Sequence, residues 1–183
     1  MTTIQHCKTV LALAAMLTAS GAFAATGNRT DYSAAKDRIA AEYKADKAAC
    51  DKFNGNQKDI CVEQAKGKEK VAQAEAEYNY TGKEGDANKV AVAKADASYA
   101  VAKEMCDDKG GNAKDVCVTE AKAAHDKALA DAKMNKKVGE AQGDAMKDKR
   151  DADYKVATEK CDSLAGDAKA ACVNAAKAKY GKS

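Results

Sequence analysis

The sequence predicts an all-α protein made of three tandem disulfide-stapled antiparallel helical hairpins, arranged as an elongated array or a loose helical bundle. Three observations carry this. Six cysteines fall in three pairs, Cys50 with Cys61, Cys106 with Cys117 and Cys161 with Cys172, each pair eleven positions apart. The surroundings of each pair repeat at intervals of 56 and 55 residues (50 to 106, then 106 to 161). The stretches between are rich in Ala, Lys and Glu and hold no Pro, a composition of high helix propensity.

The repeated unit is legible residue by residue. A tyrosine stands seven positions before each first cysteine, as Tyr43, Tyr99 and Tyr154. Asp51, Asp107 and Asp162 follow that cysteine directly. Gly55, Gly111 and Gly166 come next, each followed by Asn56, Asn112 or Asp167, and then Lys58, Lys114 and Lys169. In the first copy Ile39, Tyr43, Cys50 and Phe53 lie three, four or seven apart, one stripe of a helix. The glycine permits a left-handed backbone and is expected to stop the first helix. The following Asn or Asp is expected to be the N-cap of the second, with Asp59 and Asp115 three residues on in a capping-box-like position. Each unit therefore reads as helix, tight turn, helix.

The cysteines suit that hairpin. Cys50 and Cys61 are equidistant from a turn centred between Gly55 and Asn56. In an antiparallel pair such residues share one height, and small neighbours allow the Cα separation of about 5.5–6 Å that a disulfide needs. Six cysteines allow about 15 pairings; the repeat selects neighbour with neighbour. The same geometry sets Tyr43 opposite Lys68, Tyr99 opposite Ala124 and Tyr154 opposite Lys179, and the three tyrosines read as packing residues. Asp51, Asp107 and Asp162 oppose the helix dipole at a C-terminus, which a pair across the tip with Lys58, Lys114 or Lys169 would offset.

Four segments follow. Residues 1–24 read as a secretory signal peptide: Lys8, the short apolar run Val10–Leu17, and the small-x-small site Ala22-Phe23-Ala24. Cys7 would leave with it. Repeat 1 covers 25–82, repeat 2 covers 83–138 and repeat 3 covers 139–183. Asn79–Asp86 is expected to be a hinge. Between repeats 2 and 3, Gly139 and Gly143 leave a loop and a bent continuous helix as competing outcomes. Residues 25–32 and the last few residues are expected to be loose.

Composition bounds the chemistry. The hydrophobic share is 45%, but alanine dominates it, and 32% of residues are charged. The core should be thin and the helices wet on most of their surface. Net charge is +3, or +2 after loss of Lys8, with acids and lysines interspersed, so no nucleic-acid partner is expected. A C-x10-C spacing is not a redox motif, so the cysteines read as structural, in keeping with an oxidising exported compartment. His125, expected on the solvent side or the flank of a helix beside Glu120 and Asp126, has no companion at metal-ligand spacing. No motif supplies an activated nucleophile. No catalytic residue, metal or cofactor is expected, and no transmembrane segment once the signal is removed.

The segments Tyr-Lys-Ala-Asp-Lys-Ala-Ala-Cys-Asp at 43–51 and Gly-Asn-Ala-Lys-Asp-Val-Cys-Val at 111–118 resemble exported Cys-repeat helical proteins of Gram-negative bacteria, often labelled TolA-like or cell-envelope-biogenesis proteins. The resemblance covers the mature chain. It implies an exported, cell-envelope setting, and repetition without a chemical site leads to the expectation of a periplasmic, non-enzymatic structural or interaction protein, a helical spacer or adaptor with envelope proteins as its partners. A holdase-type chaperone using Met105, Met134, Met146 and the tyrosines is the alternative, and a metal buffer the weaker one.

Overall fold

The computed structural model describes residues 28–182, which form five α-helices and no strand. They are α1 (Arg29–Ala49), α2 (Asn56–Thr81), α3 (Glu84–Cys106), α4 (Gly111–Cys161) and α5 (Gly166–Tyr180), with a single 3₁₀ turn, Cys50–Lys52, closing α1. The chain is thus all-α, with a disulfide across each of three hairpins: α1–α2, α3–α4 and α4–α5. The expected signal peptide lies outside the described residues.

Each helix packs only on its neighbours in the chain; among the described residues no contact joins α1 to α3, α2 to α4, or α1 to α4. The arrangement is therefore an open array rather than a closed bundle. The most extensive packing is between α2 and α3, which no disulfide joins. There Gly67 lets the two backbones close: a Cβ at that position would lie 2.8 Å from the Ala97 Cβ.

Residues two positions apart on a helix point about 200° apart, at 3.6 residues per turn. Gly67 faces α3, while Ala65, two residues earlier, lines a crevice with Ile39 and Tyr43 of α1. Ala97 faces α2, while Ala95 and Tyr99 face α4. So α1 and α3 flank α2 on opposite sides, and α2 and α4 flank α3 in the same way. The first four helices lie side by side in one layer.

The core is correspondingly thin. Buried hydrophobic residues are Ile39, three cysteines and four alanines, at 65, 95, 132 and 176. Alanine buries little area, and burial contributes only about 25 cal/mol per Å², so the covalent links matter. A disulfide closing a loop of this size is worth roughly 3 kcal/mol in the chain-entropy estimate.

Several expectations about connections are corrected. α2 runs without a break to Thr81, and the hinge shrinks from Asn79–Asp86 to Gly82 and Lys83. Gly82 closes α2 in the left-handed conformation, φ 62°, its N–H donating to the Tyr78 carbonyl. Thr81 Oγ1 then donates to Asp86, which also pairs with Lys89, so the bend is locked. Of the two outcomes left open at Gly139 and Gly143 the structure takes the continuous helix, so the repeat boundary placed at 138/139 falls inside α4. Of residues 25–32, expected to be loose, 25–27 lie outside the described residues and 29–32 are helix: the Asn28 side chain caps it by accepting from the Thr30 N–H at 2.9 Å, and Tyr32 stacks on Tyr80 with ring centroids 4.7 Å apart. The last described residue is also held, Lys182 N–H reaching the Lys177 carbonyl at 2.9 Å.

α4 has 51 residues, about 77 Å at 1.5 Å per residue. Its first half lies on α3 and its last turns on α5. Between them every residue from 140 to 150 is exposed, a bare stretch of single helix.

Candidate functional site

The six cysteines meet as three neighbour pairs, with Cα separations of 5.6, 5.7 and 5.7 Å. Cys50, Cys106 and Cys161 are completely buried. The helices bring the pairs together because each first cysteine ends its helix and each second one lies in the second turn of the next.

The turn residues act differently from the expectation. The first helix of each hairpin has already ended at or just after the cysteine. Gly55, Gly111 and Gly166 instead begin the second helix, with φ of 56°, 54° and 57°. At Gly55, ψ is −146°, a combination open essentially to glycine alone. Gly55 is the cap of α2, while Gly110 and Ala165 cap α4 and α5; none of the three has a side chain that can accept, so neither α2, α4 nor α5 has a side-chain N-cap bond. Asn56 is therefore not an N-cap, and Asn112 and Asp167 do not cap either. Asp59 and Asp115 complete no capping box. The Asn56 amide donates instead to the Glu104 carbonyl, 2.9 Å away in the last turn of α3. It adds a second donor to a carbonyl that already accepts from the Asp107 N–H and joins hairpin 1 to hairpin 2.

Across every tip a lysine meets the aspartate after the first cysteine. Lys58–Asp51 is 2.9 Å, Lys114–Asp107 is 2.8 Å and Lys169–Asp162 is 3.0 Å. The Lys58 ammonium holds the Asp51 carboxyl below its ordinary range, and Asp107 raises Lys114.

The tyrosines pack one residue beyond the positions that symmetric counting gives. Tyr99 stacks on His125, centroids 4.7 Å apart, and Tyr154 meets Tyr180 edge-on at 6.4 Å. In both hairpins the eighth residue past the second cysteine meets the ring. In hairpin 1 that residue is Glu69, which shares a crevice with Tyr43, and the Lys47 ammonium lies over the Tyr43 ring at 5.9 Å.

His125 does not sit on the solvent side of its helix. Its side chain is only 16% exposed, and Nε2 lies 2.6 Å from Asp96 Oδ1 of α3. It is the counterpart in hairpin 2 of Tyr180 in hairpin 3, an aromatic wedge between helices. Neighbouring Asp126 pairs with Lys122 at 2.8 Å. Among the described residues, no group of three or more His, Cys, Asp or Glu is placed to hold a metal ion. Among them, too, no helix is long and apolar enough to cross a membrane.

A surface that sequence reading did not find lies over α2 and α3. Between these helices runs an open groove of about 720 Å³, lined by Gly67, Val71, Ala97, Val101, Ala102 and Met105. It shares Ala72 and Glu75 with the α1–α2 groove, and Lys94, Ser98 and Ala102 with the α3–α4 groove. Three grooves thus form one continuous face. Its lysines are already paired, Lys68 with Asp46 and Lys94 with Glu75, each at 2.8 Å. Half a helical turn away, the other face carries Lys66 with Glu63, Lys89 with Glu77, and Asp96. The layer is amphipathic across its thickness. In sequence, Val71 lies far from Val101 and Met105, and only the register set by Gly67 and Ala97 unites them.

No family model, curated protein or solved structure matches the chain.

Proposed function

We propose that this chain is a non-enzymatic structural or interaction protein of the periplasm, a helical spacer or adaptor of the cell envelope. The observation that supports this most is the open layer of clasped helices. Disulfides hold the hairpins where apolar burial is slight, and two long faces of different character stay available for contact. The apolar run Val10–Leu17 with Ala22-Phe23-Ala24 argues for export, and disulfides persist in that compartment. The resemblance of the 43–51 and 111–118 segments to envelope proteins labelled TolA-like points to the same setting.

The test is photo-crosslinking in intact cells, with the reactive group placed at Lys70 and Lys103 on the charged face. Discrete adducts with an envelope protein are expected. A profile without any such adduct would contradict the adaptor role.

The alternative, a holdase-type chaperone, gains support from Met105, which is 56% exposed in the apolar groove and offers an adaptable contact. Suppression of the aggregation of an unfolded client by the purified protein would favour it over the adaptor.

A further inference from the structure

A single layer of helices with one apolar face is half of an architecture. Helices bury an apolar stripe against another element, and stable domains have at least two layers. Here α2 is flanked by α1 and α3, and α3 by α2 and α4, so nothing in the described chain lies over the groove face. α5 packs on α4 alone.

We infer that the groove face is covered by the same face of a second copy of this chain, in a two-fold dimer centred on α2 and α3. The inference rests on reading the chain as an interaction protein and names one partner for one face. Size, charge and shape each support it.

The first argument is size. α2 and α3 have 26 and 23 residues, about 39 and 35 Å of helix at 1.5 Å per residue. With neighbouring axes about 9 Å apart, four helices present a face of roughly 950 Å². A stable interface needs about 800 Å² from each partner.

Charge is the second. The face carries both signs and neutralises them internally, Lys68 against Asp46 and Lys94 against Glu75. A polyanion or an anionic lipid surface would meet no free cationic stripe there. A second neutral, apolar face meets no repulsion.

Shape is the third. Gly67, Ala72, Ala97 and Ala102 make a shallow floor, and Met105 and Val71 project beside it. Small floor residues let helices approach closely, and projecting residues of one copy have hollows to enter in the other. An isologous contact needs such self-complementarity.

The experiment is sedimentation equilibrium on the purified exported protein over a concentration series. The wild type is expected to show a dimer that dissociates on dilution. Met105→Lys and Ser98→Lys place charge on the face at exposed positions, and each should weaken dimerisation at least ~10-fold, as loss of a central interface residue does, with the helical signal unchanged. Lys70→Glu, on the opposite face, should leave it unaltered. A wild type of single-chain mass at every concentration would overturn the inference. So would a dimer indifferent to both groove substitutions, or a single-chain species whose groove captures an unfolded client. The outcome is separable from the adaptor test, which reads adducts with other envelope proteins through the charged face.

Discussion

Gly67 of α2 sits against Ala97 of α3 so closely that a Cβ at 67 would lie 2.8 Å from the Ala97 Cβ. This contact sets the spacing of the two helices that no disulfide joins. It makes the centre of the layer depend on a missing side chain.

Gly67→Ala should therefore destabilise the protein, although alanine favours helix by up to ~1 kcal/mol over glycine. The overpacking cost is about 1–3 kcal/mol, because the opposing atom is a Cβ fixed to a backbone and cannot swing away. Gly85→Ala is the control, since it lies within α3 and nothing stands within 4 Å of its added Cβ. Thermal melts by circular dichroism should show the first variant melting lower than wild type and the second no lower.

The three staples are not equivalent. Hairpins 1 and 2 are also joined through α2 and α3, whereas α5 has 15 residues, one buried residue, Ala176, and packing on α4 alone. A helix of that length is marginal in water by itself. Replacing Cys161 and Cys172 by Ser should release α5, seen as rapid amide exchange over 166–180, with α1–α3 still protected. The same change at Cys106 and Cys117 should lower overall stability by about 3 kcal/mol without freeing a single helix.

The turn glycines should be intolerant of any side chain. Gly55→Ala, Gly111→Ala and Gly166→Ala each force an L-residue to φ near 55°, at a cost of order 1–3 kcal/mol. No steric neighbour contributes, because nothing lies within 4 Å of an added Cβ at any of the three. Urea unfolding should give similar losses for the first two. A large difference between them would point to a contact that the geometry lacks.

Acid should loosen the α2–α3 bend. Hydrogen bonds from Lys89 and Thr81 hold the Asp86 carboxyl below its ordinary value of 3.8. A depressed carboxyl contributes stability above the unfolded value and loses it as pH falls through the folded one. Melting temperature should thus be level in Asp86's contribution from neutral pH down to roughly 5 and decline below about 4. Asp86→Asn should lower the neutral-pH melting point and flatten the acid decline.

The sequence announced the hairpins because the pattern that encodes them is large and repeated: a cysteine, a glycine five residues on, a second cysteine eleven residues on. The α2–α3 packing was silent because its signal is a glycine and an alanine in a chain full of alanine. The Tyr32–Tyr80 stack joins residues 48 positions apart and follows no repeat. His125 was misplaced for a related reason: counted alone it is a stray polar residue, while counted eight past Cys117 it stands where Tyr180 stands past Cys172. The glycine turns were half legible, since positive φ was foreseeable, but its use as the start of the second helix displaced the Asn and Asp expected to cap.

Peptide mapping of the exported protein without reduction tests the account most directly. Digestion after lysine should yield three linked pairs, joining Cys50 to Cys61, Cys106 to Cys117 and Cys161 to Cys172. Free thiols at these positions, or links running between different hairpins, would contradict the clasped layer on which the faces, their partners and the proposed role depend.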